Sequence, residues 1–109
     1  MPRLPPALAA SATPRVLALL GDPPATVLEL GFAGIHATPL RLAGFGVTVV
    51  EPDPAYRGRA RERAGEVLDA PPSGLRFDAV VAPADADLAG VDAARAILVG
   101  AGGDASIAE

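Results

Sequence analysis

Val27-Leu28-Glu29-Leu30-Gly31-Phe32-Ala33-Gly34 and, further on, Val47-Thr48-Val49-Val50-Glu51 decide the fold of this chain. The first stretch reads as a buried strand running into a glycine turn. The second is another buried strand, rich in β-branched residues, that ends on a carboxylate. Between them Ile35 to Ala43 suits a helix, in which Pro39 is tolerable only within the first turn, and Gly44-Phe45-Gly46 ends it. Strand, glycine turn, helix and strand in this order form a unit that can hold an adenosine. The glycines let the backbone approach the ligand, and an acid at the tip of the next strand, here Glu51, accepts hydrogen bonds from ribose hydroxyls.

Upstream, Leu4 to Leu20 can form a helix with Leu8, Val16, Leu17 and Leu20 buried; Pro14 lies near a break or in a first turn, and Gly21-Asp22-Pro23-Pro24 stops it. Downstream, Pro52-Asp53-Pro54 ends the second strand and Ala55 to Val67 reads as an exposed helix. Leu68-Asp69-Ala70 is a rudimentary third strand before the loop Pro71-Pro72-Ser73-Gly74. Phe77 to Ala82 is a fourth strand, Val91 to Val99 a helix, and Ala105 to Ala108 a final strand after Gly100-Ala101-Gly102-Gly103. The alternation predicts an α/β fold: a three-layer sandwich of about five mainly parallel strands joined by right-handed crossovers. Such sheets bind ligands beyond the carboxyl ends of their strands, where Gly31 to Gly34, Glu51, Asp69 and Pro83 to Asp85 all fall.

The 109 residues, read as one domain over 1–109, allow a single modest core, because half of them are apolar but only 4 % are aromatic. A net charge of −4 argues against a grip on nucleic-acid phosphates or anionic lipid. Arg57, Arg59, Arg61 and Arg63 read as a solvated helical face. The absence of lysine excludes a Schiff base or a phosphate-loop lysine, and the absence of cysteine excludes disulfides and thiolate chemistry. With one histidine, no metal site is expected. Met1 to Ala12 faintly resembles a secretory signal, but its apolar stretch is short and broken by proline, and no run approaches a membrane span; a cytoplasmic protein is the expectation.

Glu29 to His36 together with Val49 to Pro54 resembles the opening of class I S-adenosylmethionine-dependent methyltransferases, whose first motif is an acid, any residue, then glycines at alternate positions. Arg59 to Ala64, Leu68 to Ala70 and Phe77 to Val81 continue in the order of such enzymes, so the resemblance spans about residues 25 to 83. It implies a minimal Rossmann-like methyltransferase fold, similar to small uncharacterised archaeal-type Rossmann proteins, with S-adenosylmethionine as cofactor. By that resemblance Gly31 and Gly34 shape the turn beside the methionine part, Glu51 holds the ribose hydroxyls, Asp69 and Ala70 border the adenine, and Glu29 organises the loop or the cofactor amine. Ala33 departs from the pattern, standing where the family places a glycine.

Glu29 beside the turn also suits a cationic sulfonium with a free amine better than a pyrophosphate, which favours Gly-x-Gly-x-x-Gly without an adjacent anion. Three functional classes follow. The first is a methyltransferase-like protein of open acceptor, since methyl transfer needs alignment rather than a catalytic side chain. The others are a non-catalytic interaction module on the same fold and a regulatory domain that binds NAD or another nucleotide. His36 reads either as a general base or as a loop contact, and Tyr56 either as a stacking platform for adenine or as cover for the sheet edge. Asp85 and Asp87 are either acceptor contacts or solvated acids and caps. With so few strands, the cleft is expected to be completed by a partner protein or a homodimer, unless the acceptor is itself a large surface.

Overall fold

A computed structural model describes residues 5–108. The expected helix start at Leu4 and the first four residues of the signal-like segment lie outside them. Two short helices open the described chain, α1 (Pro6–Ser11) and α2 (Thr13–Leu20), split where Pro14 falls in the first turn of the second. There follow β1 (Thr26–Leu30), α3 (Ala37–Leu42), β2 (Gly46–Val50), α4 (Pro54–Ala64), β3 (Val67–Leu68), β4 (Arg76–Pro83), β5 (Asp92–Val99) and β6 (Ala105–Ala108). The six strands form one sheet in the order β3-β2-β1-β4-β5-β6, parallel throughout except for the antiparallel β5–β6 pair.

The α/β architecture and the mainly parallel sheet agree with the sequence reading, and three differences have physical causes. First, Val91 to Val99, expected as a helix, is β5 for most of its length, each residue from Ala79 to Pro83 facing one from Arg95 to Val99. Its alanines favour a helix locally, but pairing with β4 and β6 and burial of Ile97 and Val99 override that preference. Second, the third strand is Val67–Leu68, so Asp69 and Ala70 fall just beyond it. Third, there are six strands rather than about five, and among the described residues helices cover one face of the sheet only.

The one-sided cover is visible in the core. Val27, Val47, Val49, Ala79, Val81, Ile97 and Val99 meet Ala9, Ala12, Val16 and Leu20 of the N-terminal helices, Ala37 and Leu40 of α3, and Ala64 of α4. On the other face Leu28, Leu30, Val50, Val80 and Ala82 are buried, yet their cover is Ala86, Leu88 and Val91 from the β4–β5 connection. Strands β1 to β3 step one way across the sheet, which puts α3 and α4 on one face; β3–β4 and β4–β5 step the other way, so right-handed crossovers take the opposite face. Those crossovers, residues 69–75 and 84–91, contain no helix and act as straps. At the lower edge Asp78 Oδ2 accepts from the Thr26 amide (2.8 Å) and the Thr26 hydroxyl (3.1 Å), clamping β1 to β4 and holding the Asp78 carboxyl below its usual range.

Candidate functional site

At the carboxyl end of the sheet, where β1 and β4 lie side by side and strand order reverses, a cleft of about 980 Å³ opens. Such switch points are where doubly wound sheets place their ligands. Its floor is Leu30, Gly31, Phe32 and Ala33; one wall is Pro52, Asp53, Tyr56, Arg59 and Arg63, the other Pro83 to Asp87, with Pro5, Pro6 and Ala9 closing the α1 side.

The turn on the floor is held from below. Gly31 continues the strand pairing by donating to Val50 O (3.0 Å), and the chain then turns left-handed at Gly31 (φ 81°), Ala33 (φ 52°) and Gly34 (φ 75°). Ala33 thus adopts the backbone that favours glycine where the methyltransferase pattern has one, at a cost of roughly 1–2 kcal/mol for an L-residue. Gly34 needs its missing side chain twice over, because a Cβ there would lie 3.3 Å from Ala60 O and 3.4 Å from the Ala64 Cβ. That close approach lets the turn nest against α4.

Two fully buried carboxylates brace this turn. Glu51 Oε1 accepts from the Ala33 amide (3.0 Å) and Oε2 from the Asp53 amide (3.0 Å), joining the glycine turn to the start of α4. Glu29 Oε2 accepts from the His36 amide (2.8 Å), while its Oε1 has no hydrogen-bond partner among the described residues. Burial pushes the Glu29 carboxyl up to about 7; amides of His36 and Gly34 pull it down, and the Glu51 charge adds to the rise. His36 is also buried: its Nδ1 shares a 2.8 Å hydrogen bond with Thr13 Oγ1, its ring meets Phe32 edge-on at 4.8 Å, and burial lowers its pKa to about 4. It stands as a neutral packing residue behind the turn, joined to α2, and does not line the cleft.

The expected site residues therefore divide. Gly31 and Ala33 line the cleft; Gly34, Glu29 and Glu51 lie behind it as supports; Asp69 and Ala70 are exposed on the β3–β4 strap, outside the lining. Tyr56, Asp85 and Asp87 do line it, Asp87 also accepting from the Ala89 amide (2.9 Å). The sequence reading missed Asp53, which both caps α4 through the Ala55 amide (2.9 Å) and faces the cleft, and it missed Arg59 and Arg63. Their signal was the spacing of Tyr56, Arg59 and Arg63, three and four residues apart on one helical stripe. Among the described residues no group of three or more His, Cys, Asp or Glu side chains is placed to hold a metal, and no helix is long and apolar enough to cross a membrane.

No protein-family model matches the sequence, and no curated protein matches it either.

Proposed function

We propose that the cleft binds an adenosine-bearing cofactor, S-adenosylmethionine in the first instance, in a Rossmann-like methyltransferase-type domain of cytoplasmic location. The observation that carries this reading is the left-handed glycine turn at the end of β1, opening onto a cleft at the strand-order reversal and braced by the acid that ends β2. In this reading the backbone of Gly31 and Ala33 approaches the ligand, and Tyr56 offers a ring face to the base. Glu51 acts on the ligand through the turn it holds. Asp53 is the carboxylate that the same wall displays. The cleft's size suits such a ligand, since small-molecule sites run to about 300–1,000 Å³.

Methyl transfer asks the protein to align a sulfonium methyl with a nucleophile and to exclude water. Asp85 and Asp87, across the cleft from α4, stand where an acceptor would approach. One feature favours a second reading, a non-catalytic module: one sheet face is covered by straps alone, which leaves fewer elements to close over an acceptor. A homodimer or partner protein that completes the cleft would restore that closure, and light scattering that finds only monomer at high concentration removes the homodimer.

The test is calorimetric titration with S-adenosylmethionine, S-adenosylhomocysteine and NAD, accompanied by amide chemical shifts. Micromolar binding of the first two, with shifts at Gly31 to Ala33, Tyr56 and Ala84 to Asp87, supports the cofactor reading. Preference for NAD moves it to a nucleotide-regulated domain, and silence from a folded protein rejects both in favour of the module.

A further inference from the structure

Both arginines that line the cleft stand on one wall. Arg59 and Arg63 project from α4 on one side, and Asp85 and Asp87 belong to the strap on the other, with the strand β1 between them. The arginines of this region differ in what they do. Arg57 is tied to Glu51 O (2.9 Å) and Pro52 O (2.8 Å), and Arg41 to Ala64 O (2.8 Å) and Val47 O (3.1 Å). Arg63 donates one nitrogen to Ala33 O (3.0 Å), which fixes its guanidinium at the lip of the glycine turn. Arg59 lines the cleft without a hydrogen bond or ion pair to any described residue. The acid that lines that wall, Asp53, already caps α4 through its Oδ1.

An arginine pair one helical turn apart, one member pre-oriented and the other uncommitted, flanks Tyr56 on the stripe that faces the ligand space. Guanidinium groups pair with carboxylate and phosphate oxygens through parallel N–H donors, and a pre-oriented fork loses little freedom on doing so. The acidic far wall repels the same group. Resting on the adenosine reading above, we infer that the cleft selects a ligand whose adenosine carries an anionic end, a carboxylate or a phosphate, and that Arg59 and Arg63 hold that end against α4.

Three probes separate the possibilities: 5′-methylthioadenosine, which lacks an anion, S-adenosylhomocysteine, which ends in a carboxylate, and AMP, which ends in a phosphate. One of the two anionic probes is expected to bind about tenfold more tightly than methylthioadenosine at low salt, as a charge-assisted bidentate contact would provide. Which of them does so identifies the anion. Arg59→Gln, whose side chain holds nothing else in the fold, is expected to abolish most of that advantage while leaving methylthioadenosine binding unchanged. Arg59→Glu is expected to reverse it, and Arg61→Gln, outside the cleft, to preserve it. An advantage absent from the wild-type protein, or one that survives Arg59→Glu, overturns the inference while the adenosine reading stands. Failure of all three probes to bind overturns both.

Discussion

Residues 5–64 and residues 65–108 build the same sheet by different means. The first half holds all four helices, and every buried polar or charged side chain among the described residues belongs to it: Thr13, Glu29, His36 and Glu51. The second half contributes four strands, two of them eight residues long, and two straps, and its buried side chains are all apolar. Burying an ionisable group is costly unless it is hydrogen-bonded, so such groups persist where they hold a shape that apolar packing alone does not specify. Here that shape is the glycine turn. The contrast teaches that the polar interior of this molecule is a brace for the candidate site, and that the strap side serves to complete the sheet.

Glu51→Ala tests the contrast most severely. It strips both the Ala33 and Asp53 amides of their acceptor at a fully buried position and is expected to destabilise the fold by about 4 kcal/mol, with loss of ligand binding, in denaturant titration. Leucine truncation on the two faces comes next. Leu40→Ala, fully buried under the helical layer, is expected to lose about 3 kcal/mol, and Leu88→Ala, half-buried on a strap, about 1 kcal/mol. Equal losses would mean that the straps pack as tightly as the helices, and the contrast would fail.

The third prediction is a pH dependence. Glu29 is raised from 4.5 to about 7 in the folded state, so the native protein binds the extra proton between those values and its contribution to stability falls as pH rises through them. His36 is lowered from 6.5 to about 4, so its contribution rises with pH over that lower interval. The two slopes oppose each other in the wild-type protein. Glu29→Gln leaves only that of His36, and is expected to gain about 2 kcal/mol on the wild type between pH 4.5 and 7, read as denaturation midpoints. A constant difference across that range would show that Glu29 is not proton-bound in the native state. The smallest effect is Ala33→Gly, which relieves a left-handed backbone at φ 52° and is expected to stabilise by about 0.5 kcal/mol, the greater chain entropy of glycine offsetting part of the gain.

Much of the first half was legible because its signals are local. The apolar runs around Glu29 and Val49, the placement of Pro14 and Pro39 in first turns, and the glycine turn each state their structure within a few residues. The second half was misread where long-range pairing decides. Ala93 to Ala96 read helically and become strand because β4 lies alongside them, with β6 joining on the other side only from Ala96. At the site, sequence order brought the right segments together but gave no account of direction. Glu51 sits at the tip of β2 as read, yet its carboxylate turns inward to two amides. On the α4 wall the cleft-facing charges are Asp53, which reads from sequence only as part of a strand-ending loop, and Arg59 and Arg63, which read as a solvated face.

The β4–β5 strap has one more consequence. Parallel strands of this length require the chain to return roughly 23 Å before starting again, and residues 84–91 with their flanking bonds reach roughly 30 Å when fully drawn out. Part of that slack is spent in the turns at Ala84–Asp85 and Ala89–Gly90. The strap is therefore a ruler. Removing a residue from it leaves roughly 26 Å of reach for that span, so one of those turns must straighten, whereas an inserted residue only loosens the cover over Leu28 and Val80. Deletion of one residue is therefore expected to cost more than insertion of one, which makes segment length, alongside side-chain identity, a quantity that this part of the chain encodes.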